Sequence, residues 1–260
     1  MITWIIGHFL AVCIGLSLGL IGGGGSILAV PILVYVMGLG AKTAIAMSLG
    51  IVGMVSLIGV IPHWLQGNVN GQVAAIFAPT AMLGAYLGTQ MAGFPFITET
   101  MQLICFAIVM LLASMIMIRQ GRQTLKHRHL LKEKQRFLHK KQHNRFLILL
   151  EGLGVGILTG FVGVGGGFAI IPALVLLGGI PMKEAIGTSL IIITFNSVTG
   201  FLGYLSHVNL DWMLMMSFTI AASLGTLTGA YLTRFIDAKN LQKGFGYFVL
   251  AVGIFVLIRH

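Results

Sequence analysis

Charge is what this chain has least of. Only 8% of its 260 residues are Asp, Glu, Lys or Arg, and 6 of those are acidic. A soluble domain carries about 25% charged residues, so this composition excludes an ordinary water-exposed surface. Cysteine is nearly missing too. There are 2, Cys13 and Cys105, each in an apolar stretch, which excludes a disulfide framework. No G-x-x-x-x-G-K-[S/T] run occurs, so nucleotide hydrolysis by this chain is not expected. The first residues, MITWIIGHFLAVCIGLSLGL, lack a basic n-region and a cleavage motif, and read as a retained membrane segment rather than a signal peptide.

What is present is apolar. Hydrophobic residues make up 57% of the chain and the mean hydropathy is +0.98. The fold class that follows is an all-α polytopic membrane protein. The net charge of +10 does not point to nucleic acid, because 10 of the 16 Lys and Arg lie between Arg119 and Arg145. That stretch, RQGRQTLKHRHLLKEKQRFLHKKQHNR, is the one long polar run, and the positive-inside rule makes it a cytoplasmic linker. It also suits an anionic lipid surface. Its histidines, His127, His129, His139 and His143, lack zinc spacing, and neither a metal nor a cofactor is expected.

The chain repeats itself. An offset of 141 residues lays GLSLGLIGGGGSILAVPILV, from Gly15, on GILTGFVGVGGGFAIIPALV, from Gly156. Gly19, Gly22, Gly24, Gly25 and Pro31 fall on Gly160, Gly163, Gly165, Gly166 and Pro172. Lys42, Ala44, Ile45, Ser48 and Leu49 fall on Lys183, Ala185, Ile186, Ser189 and Leu190, and Ser56, Gly59 and Asn68 on Ser197, Gly200 and Asn209. About 22 of 74 positions agree at this single offset. Residues 1–118 therefore read as a first membrane repeat, 119–145 as the basic linker and 146–260 as a second repeat.

Each half opens on a long segment interrupted by glycine, 4–38 and 146–178. Three ordinary spans follow each, near 44–61, 73–92 and 98–118, then 184–205, 210–233 and 241–258. As one straight helix the first segment would run about 50 Å, against about 30 Å of hydrocarbon. It must kink as it crosses, or re-enter as a hairpin. A single crossing makes the halves parallel. A re-entrant segment makes them inverted, which puts Lys183, Arg234, Lys239 and Lys243 on the linker's side and leaves Lys42 and Arg259 opposite. The positive-inside rule favours the inverted repeat.

The breaks carry the functional argument. Helix interruptions in lipid are tolerated only where protein or a water-filled cavity covers the freed backbone. A new half-helix is expected to start near Ser26 and near Phe168, and its first N–H groups, at the positive end of the helix dipole, make an anion site. The candidate binding residues are Gly22, Gly23, Gly24, Gly25 and Ser26, with Gly163, Gly165, Gly166, Gly167 and Phe168. Ser48, Ser189, Asn196 and Ser197 join them as polar groups in apolar spans. His63 and His207, with Asn68 and Asn209, sit at span ends, as proton carriers or gating residues, or simply at the interface. The GxxxG pairs Gly15–Gly19, Gly84–Gly88, Gly156–Gly160 and Gly225–Gly229 read as packing seams.

Two halves, each opening on GLIGGGGS or GFVGVGGG, then a proline, then K-x-A-I-x-x-S-L (Lys42 to Leu49, Lys183 to Leu190), resemble the sulfite exporter TauE/SafE family, also called the toluene-sulfonate uptake permease family. The resemblance spans all but the linker. It implies a secondary transporter of the bacterial inner membrane, an exporter of sulfite, an organosulfonate or a related organic anion, with no catalytic residue. The bilayer and the small anion are its expected partners, with a proton as the coupling ion. A passive anion channel is the alternative. An intramembrane serine protease using Ser26 is a remote one, since the repeat has Gly167 at that position.

Overall fold

The computed structural model describes residues 2–92, 145–162, 167–205, 208 and 210–237, with further residues scattered over 108–119 and 240–254. The linker and most of the third span of each half lie outside these. Helices α1 (Ile2–Ile21), α2 (Ser26–Tyr35), α3 (Ala41–Leu65) and α4 (Gly71–Ala92) come from the first half. From the second come α5 (Arg145–Val162), α6 (Gly167–Pro172, running on as a π turn over Ala173–Leu177), α7 (Met182–Tyr204) and α8 (Trp212–Leu232). No strand occurs among the described residues. Among the described residues, five helices are long and apolar enough to cross a bilayer: Ile2–Ile21, Thr43–Leu65, Gly71–Gly88, Met182–Gly203 and Trp212–Leu232.

Leu57, Ile61, Leu83, Tyr86, Met213, Ile220 and Leu224 stand exposed on the outer faces of these helices. So large an apolar exterior belongs in lipid. Met47, Val55, Phe77, Leu190, Ile193 and Phe218 are buried between helices. Inside a bilayer this burial gains little from water, so close packing and interhelical hydrogen bonds must hold the helices together. Small residues let the backbones approach. Gly15 and Gly19 of α1 lie against the carbonyls of Ala222 and Thr226 of α8. Gly156 and Gly160 of α5 lie against those of Ala81 and Ala85 of α4. In both pairs the numbers rise together, so the paired helices run the same way. Adding 141 to the first helix and subtracting it from the second turns one pair of contacts into the other. The partner glycines do the same: Gly225 and Gly229 meet Val12 and Leu16, while Gly84 and Gly88 meet Leu153 and Ile157.

The helices α3 and α7 pack on each other at the centre, with opposite direction. Gly200 faces Leu49, Gly53 faces Ser197 and Gly59 faces Leu190, so the numbers fall on one helix as they rise on the other.

The first break is a hairpin turn. Helix α1 stops at Ile21 because Gly22 has φ +72°, a conformation that costs a residue with a Cβ. A short turn over Gly23–Gly25 follows, and Ser26 opens α2 with its Oγ donating to the Gly23 carbonyl at 2.8 Å. Gly25 lies back against Ile14 and Leu18, and Met37, past the end of α2, reaches Gly7 near the start of α1. The returning chain therefore runs alongside the entering one.

A methyl group at Gly15 would overlap the Ala222 carbonyl, and one at Gly156 the Ala81 carbonyl, whereas one at Gly154 meets nothing within 4 Å. Gly15→Ala and Gly156→Ala should each cost about 1–3 kcal/mol through overpacking. Gly154→Ala should be neutral or gain up to about 1 kcal/mol of helix propensity. Thermal unfolding of the three variants in one detergent checks the ordering.

Candidate functional site

The break brings sequence-distant groups together. Gly23 and Gly167 touch backbone to backbone, so neither position has room for a side chain, and Ser26 lies beside Gly167. Gly22 lies next to the Ser189 hydroxyl and the Ile186 carbonyl of α7. Ser26 and Ser189 are both buried. Ser189 Oγ donates to the Ile186 carbonyl at 2.8 Å, and Ser48, its counterpart on α3, donates to Ile45 at 2.8 Å. Back-bonding of this kind satisfies a hydroxyl inside an apolar helix. Gly22, Gly23, Gly25, Ser26, Gly167 and Ser189 thus form one contiguous patch, with Gly24 within its turn and Phe168 in the first turn of α6. Gly163, Gly165, Gly166, His207 and Asn209 lie outside the described residues.

A second group sits about two turns further along α7. Asn196 is 6% exposed and Ser197 wholly buried. Both amide atoms of Asn196 and the Oγ of Ser197 have no hydrogen-bond partner. Ser56, the α3 counterpart of Ser197, is likewise buried with its hydroxyl unpartnered. An orphaned buried polar group costs about 1–3 kcal/mol. Such orphaned groups on the two central helices, to which the Nδ1 of His63 belongs as well, call for a physical explanation. Ser56 was legible only as the repeat partner of Ser197, because one serine in an apolar span carries no signal of its own. Ser197 also lines an apolar crevice of about 380 Å³ between α3, α7 and α8, with Gly53, Met54, Phe201 and Met215.

His63 requires a correction. An interfacial ring would be wet, yet His63 is 0% exposed. Its Nε2 lies 2.9 Å from the Gly19 carbonyl, in the last turn of α1, where the helix runs out of donors of its own. Thr233, just past α8, donates to the same carbonyl at 3.3 Å. Asn68 lies in the turn after α3, with its carbonyl against Gly187 of α7. Its N–H bonds the His63 carbonyl at 2.9 Å and its amide nitrogen donates to Gln66 at 3.2 Å. Ser26, the residue on which a protease would rest, spends its hydroxyl on the Gly23 carbonyl.

A helical, multi-pass chain with paired close-packed seams and unpaired polar groups on its central helices belongs with membrane transporters rather than with soluble binding modules. The comparisons name the family. The model of the sulfite exporter TauE/SafE family matches residues 8–256, and the chain belongs to that family of membrane transporters. A "Probable membrane transporter protein" of Xylella fastidiosa (strain 9a5c) is 37% identical over 255 residues, covering 95% of this chain and 92% of that one. The "Probable membrane transporter protein YdhB" of Bacillus subtilis is 24% identical over 230 residues, covering 88% and 90%. A "Probable membrane transporter protein" of Haemophilus influenzae is 23% identical over 265 residues, covering 94% of each. No solved structure matches.

Removing the orphaned hydroxyls should not weaken the fold, because no hydrogen bond is lost. Ser56→Ala and Ser197→Ala should unfold at or above the wild-type temperature. Asn196→Ala, which removes the amide without adding bulk, should lose no hydrogen bond either and unfold within about 1 kcal/mol of the wild type. A lowered melting temperature in all three would show that these groups are bonded after all.

Proposed function

We propose that this protein is a secondary transporter of the bacterial inner membrane that moves sulfite, an organosulfonate or a related organic anion, by alternating access, and that it is not an enzyme. Family membership supports the transporter class. The observation that carries the mechanism is the meeting of the first break with the start of α6, Gly23 against Gly167, beside Ser189 of a central helix. The transported oxyanion is held there by backbone N–H groups of Gly24–Ser26 and of Gly165–Phe168. Asn196, Ser197 and Ser56 supply polar partners along its path between α3 and α7. No Lys or Arg is needed in such a site, because free N–H groups and the helix dipole supply the positive potential.

The two halves are proposed to be an inverted repeat, 1–118 and 146–260, with the linker cytoplasmic. Three findings support this. The α1–α8 and α4–α5 seams interchange at the 141-residue offset. The equivalent helices α3 and α7 run in opposite directions. The α1–α2 segment returns along itself. Inversion offers two packings of similar energy, open to either side, in which one half rocks against the other.

The test is counterflow in proteoliposomes. Labelled sulfite should exchange saturably, with taurine or thiosulfate competing if the site accepts them. Saturable exchange separates a carrier from a passive channel. Gly23→Val, which intrudes on Gly167, should reduce exchange by at least about a hundredfold, about 2.7 kcal/mol of barrier, while the protein still inserts and folds. Normal exchange by a folded Gly23→Val protein would sink the assignment of the site to the break.

A further inference from the structure

His63 joins the first break to the rest of the molecule through one bond, and that bond has a chemical signature. A carbonyl accepts only, so the 2.9 Å contact to Gly19 requires the proton on Nε2. In the neutral ring Nδ1 then carries a lone pair. That atom is buried and has no partner. The Gly19 carbonyl is three residues before Gly22, where the chain turns back. Gly19 is also pressed against Thr226 and Ala230 of α8. The bond, which Thr233 shares at 3.3 Å, thus stands where the turn meets the α1–α8 seam.

We infer that His63 is a proton-operated latch on the first break: neutral His63 holds the Gly19 carbonyl and keeps the turn closed, and protonation frees it. The proton comes from water on the side to which the site is open. It adds to the Nδ1 lone pair, giving an imidazolium with a second N–H donor and no acceptor in reach. The ring must leave this pocket or gain a partner, and an anion at the loosened turn is that partner. Deprotonation to water on the other side restores the bond. One proton and one anionic charge thus move as a pair.

Among the described residues, few other charges compete for the ring. On α1 the titratable groups are His8, stacked on Trp4 and bonded to its carbonyl, and the exposed Cys13. Beyond α8, Arg234 is exposed and lies over the Tyr231 ring at 5.7 Å, and Asp237 follows. Lys183 and Glu184 begin α7, whose Ile186 and Ser189 face Gly22, and Lys42 lies at the opposite end of α3. None of them bonds the imidazole, whose one hydrogen bond is to Gly19.

The coupling to an anion rests on the transport reading above, so the experiment has two arms. The first is independent of substrate. In a Cys13→Ser, Cys105→Ser background, a Ser26→Cys thiol is labelled with a permeant maleimide from about pH 8 to about pH 5.5, with His63 and with His63→Gln. Gln donates to a carbonyl but takes no proton. The ratio of the two labelling rates cancels the thiol's own titration and should rise at least about fivefold as the pH falls. A flat ratio overturns the latch. The second arm uses proteoliposomes with the native Ser26 and labelled sulfite at clamped membrane potential. His63→Gln, which cannot open the latch by taking a proton, should lose at least about tenfold of both counterflow at equal pH and the net flux driven by a pH gradient. Gradient-driven flux that survives His63→Gln, or wild-type flux indifferent to the gradient, overturns the coupling. Absent wild-type counterflow with a pH-dependent labelling ratio keeps the latch and rejects sulfite transport instead.

Discussion

A backbone group without a partner is intolerable in hydrocarbon, and the described structure is organised around the place where that rule is tested. A helix broken at Gly22 exposes N–H and C=O groups in a medium with no water to bond them. They are not left to lipid. The Gly19 carbonyl accepts from His63 and Thr233, the Gly23 carbonyl from Ser26, and the Gly22 N–H finds Leu18 at 2.7 Å. The covering layer is itself backbone, that of Gly167. Only glycine on both sides allows so close a meeting.

The same economy holds the helices together. Each outer seam consists of carbonyls seated over glycines, with serine and threonine hydroxyls turned back on their own helices. Such seams are rich in dispersion contacts and poor in interhelical side-chain bonds. Three of them gather on α1, Thr226 to Gly15 at 2.9 Å and Thr233 and His63 to Gly19, while Gln66 after α3 donates to Ala230 of α8 at 3.1 Å and the Asn70 N–H to Thr188 of α7 at 2.9 Å. Contacts made of packing rather than of bonds shift between two arrangements without breaking many polar pairs, which suits a protein proposed to rock one half against the other.

At the centre the priorities reverse. Asn196, Ser197 and Ser56 sit on the two best-buried spans and bond nothing. Packing would be served better by Leu and Ala at these positions. Retained polarity without a partner is a stability cost, and it stands where the proposed path would run.

Much of this was legible in the chain. Apolar runs in sequence define spans, because a bilayer demands about 20 apolar residues whatever lies around them. The helices stop and start close to the places the glycines indicate: α2 at Ser26, α6 at Gly167. The GxxxG pairs do mark the packing seams, since the need for close approach is written in the residue itself. The repeat offset was legible because it is a property of the string. Partnership was not. That Gly23 meets Gly167, that His63 is buried on Gly19 rather than wet at an interface, and that Asn196 is left unbonded all depend on which helix lies beside which. Those contacts join residues 44 to 144 positions apart. A sequence records which groups need partners; only the packed tertiary structure decides which of them receive one.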